Sequence, residues 1–245
     1  VNLIPRGFNT TTFTAVMSDP MFWTNYKNTI IYTVLGTIIA MALTTTYAYA
    51  LSRPQLKARG FFVGIAVFTM FFGGGLIPNY ILVATYLGWR NSIWAIVIPG
   101  ALSVFNLLVM KSFFENMPRE LEEAAQIDGL GWMGIFRRIV LPLSKAVIAT
   151  MILFYSVAIW NDWFAAFLYL DKQELFPVTL YLRNLIAGAS SSVSEGAAAV
   201  GATTAQISAN IQAVTMVLTI IPILCVYPFV QRYFVSAVML GSVKG

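Results

Sequence analysis

The sequence predicts an all-α fold, a bundle of helices crossing a membrane several times, and three observations carry that reading. Of the 245 residues, 58% are hydrophobic and only 10% are charged, against about 25% charged in an ordinary soluble domain. The charges are clustered, and residues 28–52, 60–89, 91–110, 146–161 and 196–231 carry none. A span needs roughly 20 mostly apolar residues, within a range of ~17–25, and only the 146–161 window is short of that. The apolar runs are also continuous. An outer-membrane barrel would show ~10-residue alternating segments instead.

Taken in order, residues 1–27 read as an ordinary soluble segment and 28–245 as the membrane domain. Five helices are predicted, at 28–51, 60–82, 91–110, 144–169 and 209–231. The first fills its charge-free window. The second is interrupted by Gly73-Gly74-Gly75-Leu76-Ile77-Pro78, which cannot continue a helix; broken backbone in lipid must be covered by protein or face water. That span therefore ends near Phe72, followed by a short re-entrant piece around residues 77–87 that ends at Gly88. The third runs unbroken through Asn106. The fourth starts near Ser144, so that Lys145 snorkels to the interface and Asn161-Asp162 falls inside the helix. Residues 187–205, rich in Ala, Ser, Gly and Thr, read as a flexible outer loop or a weak helix start. Gly60 and Gly64 have the small-xxx-small spacing of close helix contacts, a pattern common by chance.

Orientation follows from Lys and Arg in the flanks. One side holds Arg53, Lys57, Arg59, Lys111, Arg119, Arg137, Arg138, Lys145, Arg232 and Lys244; the other holds Arg6, Lys27, Arg90, Lys172 and Arg183. The richer side is cytoplasmic, which places the N-terminus outside and the C-terminus inside. No basic region followed by an apolar core precedes residues 1–27. The reading therefore expects an earlier span ahead of Val1.

Composition also excludes chemistry. With no histidine, Ser-His and Cys-His nucleophiles and histidine-ligated metals are absent. The single cysteine, Cys225, lies among apolar neighbours and reads as a packed helix residue. Gly129-Leu130-Gly131-Trp132-Met133-Gly134 matches G-x-G-x-x-G, but that pattern signifies a dinucleotide site only between a strand and a helix. A helix precedes it here. The phosphate-binding pattern G-x-x-x-x-G-K-[ST] does not occur, so this chain is not expected to hydrolyse ATP, and nothing points to nucleic acid.

The cytoplasmic segment 111–145 holds the densest charge. Residues 118–128 read as a short helix: Asn116 or its neighbour caps it, Pro118 suits the first turn, and Glu120, Glu122 and Glu123 sit where the helix dipole favours anions. Gly129 suits the left-handed residue that ends a helix. Leu121, Ala124, Ala125 and Asp128 fall at i, i+3, i+4 and i+7, predicting one narrow, small-residued face. A second helix, 132–140, leads to Leu141-Pro142.

Within this segment Glu123-Ala124-Ala125, Asp128-Gly129, Ile139 and Leu141-Pro142 resemble the EAA loop of permease subunits of binding-protein-dependent ATP-binding-cassette importers. Asn28-Thr29, the run Ala48-Tyr49-Ala50-Leu51-Ser52-Arg53, Trp160-Asn161, Gln231-Arg232-Tyr233-Phe234-Val235 and the tail Gly241-Ser242-Val243-Lys244-Gly245 are similar to the carbohydrate branch. Phe71-Phe72 with the Gly-rich break resembles the subgroup for complex oligosaccharides and polysaccharide fragments, including alginate-type systems. Such subunits usually have six spans, which agrees with an additional one ahead of the five.

The resemblance implies a second homologous permease subunit, two ATPase subunits that hold ATP and Mg, an extracytoplasmic solute-binding protein, and a place in the inner membrane; this chain would bind no cofactor. It also implies that helix 118–128 couples to the ATPase through Leu121, Glu123, Ala124, Ala125, Asp128 and Gly129, with Glu123 making a charged contact, Ala124 and Ala125 allowing close approach, and Gly129 allowing the turn that fixes the helix angle.

For the pathway, Trp160, Asn161, Asp162 and Trp163 either line it or form an outer-interface belt. Asn106, Gln206 and Gln212 either line it too or, as the favoured reading, bond to neighbouring helices. An ion-gradient-driven secondary transporter is the competing class, since broken helices suit it; a lone aspartate leaves an intramembrane enzyme without its pair. Outer charge is too even (five basic residues against Asp19, Asp171, Glu174 and Glu195) to name an anionic sugar.

Overall fold

The computed structural model describes residues 11–195, together with 210, 213–214 and 217–224, and every regular element among them is helical. Helix α1 (Thr11–Met17) leads into α2 (Pro20–Ser52), against which both α6 (Val104–Glu115) and α10 (Lys145–Asn161) pack. The start of α2 is fixed by Asp19, whose side chain accepts from the Met21 N–H at 2.8 Å, and by Pro20 in the first turn. Pro54 favours extended backbone at Arg53, where the helix stops. The helix thus begins eight residues before the predicted start at 28. The charge-free window marked where lipid begins, and a helix continues past lipid wherever its caps allow.

With 33 residues α2 is about 50 Å long, and its inward face is small and polar: Thr29, Gly36, Thr37, Ala40, Thr44, Thr45 and Ala48 are buried. Small residues permit close approach where lipid removes any hydrophobic drive between helices. A Cβ on Gly36 would lie 2.9 Å from Ile159 Cδ1 on α10.

The Gly-rich break behaves as predicted. Helix α3 (Arg59–Phe71) ends at Phe72, Gly75 takes a φ of +86°, and the chain turns by 110° into Leu76–Tyr86, which is α4 (Leu76–Tyr80) continued as a π-helical turn (Ile81–Tyr86). Gly88, at φ +65°, closes the piece. A Cβ added at Gly60 or at Gly64 would meet no other group within 4 Å, so no close helix contact forms there among the described residues.

Two predicted spans are corrected. Residues 91–110 are not one helix: α5 (Ile93–Val97) stops before Pro99-Gly100, and α6 restarts at Val104 under Ser103, whose Oγ accepts from Asn106 N–H at 3.4 Å. Proline removes a donor and clashes with the preceding turn, a local effect that an apolar count does not register. The fourth is also split. Helix α10 ends at Asn161, and Asp162 stands outside it, its Oδ1 accepting from the N–H groups of Phe164 (3.0 Å) and Ala165 (3.2 Å) to start α11 (Phe164–Tyr169). Beyond a 3-10 turn (Gln173–Leu175), α12 (Val178–Glu195) makes the first part of segment 187–205 helical, the second of its two expected forms. Of the predicted helix 209–231, the described residues are helical; its remainder, with Gln206, Gln212 and Cys225, lies outside them.

Between α6 and α10 the chain forms α7 (Glu120–Ile127), α8 (Trp132–Ile135) continued by a π turn (Phe136–Val140), and α9 (Leu141–Leu143). Arg119, not Asn116, precedes α7, and Asn116 instead ends α6, its amide donating to Ser112 O at 2.8 Å. Helix α7 closes as a Schellman turn: Leu130 N–H donates to Ala125 O at 2.9 Å, Gly129 N–H to Gln126 O at 3.0 Å, and Gly129 has φ +81°. Segment Trp132–Leu143 meets α10 at 82°, with fully buried Ser144 at the corner donating from Oγ to Val140 O at 2.6 Å.

Among the described residues one helix, α2, is long and apolar enough to cross a membrane alone; Arg59–Phe71 with Leu76–Tyr86, and Trp132–Leu143 with Lys145–Asn161, qualify as bent pairs. One core, at the end that carries α7, joins Tyr49, Phe114, Ala125, Phe136 and Met151. A second, at the far end, joins Tyr32, Val83, Ile96, Tyr169 and Phe176.

Candidate functional site

Most of the predicted residues fall into two places, one at each end of α10. At the α7 end, the chain displays a helix with little of itself buried: of its eight residues only Glu122 and Ala125 turn inward. Leu121, Glu123, Ala124, Asp128 and Gly129 are all exposed. Ala125 departs from the predicted contact face and packs into the core with Tyr49 and Phe136. At i+4 from Leu121 it sits on the edge of that stripe, and tertiary packing decides which way an edge residue turns. The apolar face that remains outside includes Ile127, 87% exposed. It was missed because it falls off the stripe through Leu121 and Asp128, although an isoleucine in so acidic a helix was the available signal.

Glu122, the other inward residue, was also missed. Its Oε2 accepts from Arg53 Nη1 at 2.6 Å, with 8% and 11% of the two side chains exposed. Arg53 caps the end of α2 and lies over the Tyr49 ring, 4.6 Å from its centroid. Tyr49 in turn packs at a tilt on Phe136, 4.9 Å between ring centroids, and meets Phe114 edge-on at 6.2 Å. Burial pushes the Glu122 carboxyl above the usual range, with Arg53 opposing. A carboxyl with a raised pKa favours the fold most below its unfolded value, and that contribution is lost as pH rises through the folded value. Keeping Glu122 ionised therefore works against stability. Nearby, Glu115 bonds Arg59 at the head of α3 and Lys111 at 2.8 Å.

At the other end of α10, the break between α5 and α6 opens a cavity of about 630 Å³ bounded by Gly100, Ser103, Asn106, Tyr155, Ala158, Asn161 and Asp162. Three of the five predicted pathway residues meet here. Asn106 is 6% exposed, and among the described residues its carboxamide makes no hydrogen bond. Asp162 spends Oδ1 on the α11 cap. The Tyr155 hydroxyl, not singled out from the sequence, accepts from Ser103 N–H at 3.1 Å and shares a 2.6 Å hydrogen bond with Thr44 Oγ1. It ties the broken segment to α2 and α10 together.

The two tryptophans go elsewhere. Trp160 is buried, edge-on to Tyr26 at 5.7 Å, with Nε1 donating to Thr219 O at 3.3 Å. It borders a separate, apolar cavity of about 470 Å³ with Ile30, Val34 and Ile38. Trp163 lies beneath the Arg183 guanidinium, 3.4 Å from its ring centroid. Arg90 grips Asp171 with two bonds of 2.7 and 2.8 Å, and Asn91 adds a third at 3.0 Å. The Arg90 and Asn91 donors hold the Asp171 carboxyl below its ordinary value.

The roles of Asp162 as cap and as cavity wall are separable. Asp162→Ala is expected to destabilise the protein by ~1 kcal/mol, the usual worth of an N-cap, lowering its unfolding midpoint in detergent. Asp162→Asn keeps an acceptor oxygen and should leave the midpoint unchanged; equal losses in both would mean that the charge, not the cap, stabilises this corner.

Comparison with known proteins gives consistent relatives. The family model described as "Binding-protein-dependent transport system inner membrane component" matches residues 10–240. Protein LplC of Bacillus subtilis (strain 168) is 39% identical over 243 residues, covering 99% of this chain and 81% of its own. The polygalacturonan/rhamnogalacturonan transport system permease protein YtcP of the same organism is also 39% identical, over 99% of this chain and 84% of its own. Among solved structures, a chain from the crystal structure of a bacterial ABC transporter involved in the import of the acidic polysaccharide alginate superposes with a TM-score of 0.81 at 33% identity, covering 95% of this chain and 82% of that one.

Proposed function

This chain belongs to the family of binding-protein-dependent transport system inner membrane components, and from that premise we propose that it is the transmembrane subunit of an ATP-driven importer of oligosaccharides or polysaccharide fragments. It forms half of a translocation pathway whose other half is a second, homologous permease. ATP and Mg are held by two ATPase subunits on the cytoplasmic side, and a soluble binding protein delivers substrate outside. The N-terminal end of the chain lies outside and the C-terminal end inside, the orientation that the Lys and Arg distribution favours.

The observation that carries the coupling part is α7. A free-standing amphipathic helix with Leu121, Ala124 and Ile127 exposed beside Glu123 is suited to a groove on another protein, where apolar anchors supply affinity and a rim charge supplies register. On this reading the coupling segment is 111–145. The cavity at Asn106, Asn161 and Asp162 supports the pathway part: carboxamides and a carboxylate suit sugar hydroxyls. Relatives named for polygalacturonan/rhamnogalacturonan and alginate make acidic glycans the first class to test. A carrier driven by an ion gradient would use the broken helices equally well, but gives no role to α7.

The test is ATP hydrolysis by the reconstituted complex with its binding protein, measured across neutral and acidic oligosaccharides. Stimulation by at least one glycan, with uptake that stops without ATP, is expected. Uptake independent of ATP would overturn the reading in favour of the carrier, and indifference to every saccharide would remove the carbohydrate assignment.

A further inference from the structure

We propose that the Arg53–Glu122 ion pair is a positioning link that makes α7 and the end of α2 move as one body, so that force received by α7 reaches the long central helix directly and not only through the chain connections on either side. The proposal rests on the reading of α7 as the helix that receives the ATPase.

Four observations converge on the pair. Only Glu122 and Ala125 of α7 are buried, so the attachment of α7 to the spans depends on these two side chains and its connecting turns. Ala125 offers a smooth apolar contact that resists sliding weakly. Glu122 offers a directed, charge-assisted bond of 2.6 Å of the strong class. Its partner stands at the last turn of α2, a helix that also packs on α6 and α10 and therefore distributes whatever motion it receives.

The surroundings hold Arg53 still. Its guanidinium lies on Tyr49, itself wedged against Phe114 of α6 and Phe136 of the turn after α8. A planar guanidinium on an aromatic face is fixed in orientation as well as in place. Four segments separated in sequence thus meet around one ion pair.

Stability does not account for it. A buried ion pair is often no better than apolar residues of similar volume, whereas a registry role is its best-attested use. The penalty that burial places on the Glu122 carboxylate agrees with that.

The test uses the complete importer with Cys225→Ala, carrying spin labels at the exposed positions Ala50 and Gln126. With the native pair, a single narrow distance is expected with and without ATP. Glu122→Gln should broaden it and lower the saccharide moved per ATP by about tenfold, in the upper range for residues that transmit coupling. The reversed pair, Arg53→Glu with Glu122→Arg, should restore both. Arg53→Lys, which keeps the charge but loses the planar face lying on Tyr49, should broaden the distance partway. An unchanged distance in Glu122→Gln and Arg53→Lys overturns the proposal, as does lost coupling with the distance still narrow. The distance is read on the complex whether or not saccharide is carried, so failure of the importer reading shows separately, as absent ATP-dependent uptake with the native pair.

Discussion

Replacing Glu123 with Ala and Gly129 with Val together is expected to abolish ATP-dependent uptake and to strip the ATPase subunits from the purified complex. The two changes act on different links. Glu123 is an exposed charge on α7, and its loss removes register at the proposed docking groove; hot-spot truncations cost about 2 kcal/mol or more, roughly thirtyfold in affinity. Gly129 acts through the backbone. Its φ of +81° costs an L-residue ~1–2 kcal/mol, and nothing lies within 4 Å of a Cβ placed there. The penalty is therefore conformational, and the chain escapes it by unwinding the turn that aims α7. Asn tolerates this region better, so Gly129→Asn should retain several times more uptake than Gly129→Val. Normal uptake and normal subunit composition in the double variant would sink the assignment of α7.

A second large effect is expected from Ala158→Trp. Ala158 borders the cavity of about 630 Å³ between the α5–α6 break and α10. An indole there fills the space proposed for the sugar, and uptake should fall about tenfold or more, equivalent to ~1.4 kcal/mol on the barrier. Subunit composition should stay normal, because Ala158 is exposed to the cavity and the new side chain displaces no packed neighbour. Phe105→Trp is the matched control: Phe105 is 57% exposed on α6 and lies off the cavity. Equal uptake in the two variants would mean that saccharide passes elsewhere.

What was legible in the sequence was governed by local chemistry. Three successive glycines and Pro78 announce a break at 73–78, and the chain turns there by 110°. Gly129 announces the end of α7, and its φ agrees. Pro99-Gly100 carries an equally local signal, yet the surrounding apolar run hid it, because hydropathy reports whether lipid is tolerated and not whether the backbone is continuous. The break it causes is what opens the cavity. Asp162 read as an in-span carboxylate when it is a cap, since an aspartate just ahead of a helical run fits either description until the preceding helix is known to stop.

Other features are set by contacts distant in sequence. Arg53 and Glu122 are 69 residues apart, and nothing in either neighbourhood names the other. The inward turn of Ala125 and the divergence of Trp160 and Trp163 from the cavity have the same origin. Each sits beside the residues expected to share its role, and neighbouring packing sends it to another face.

The 82° corner at Ser144 has a mechanical meaning. Segment Trp132–Leu143, twelve residues, is an arm about 18 Å long, and α10, seventeen residues, is an arm about 25 Å long. Held rigid, such a bell crank trades a sideways push on one arm for a swing of the other in the ratio of their lengths, about 1.4. The far tip of the longer arm is the end of α10. That tip holds Asn161, where the cavity is bounded. The corner is a single serine, its hydroxyl spent on the turn before it, and the ratio of the two arms is set by where that serine falls in the chain.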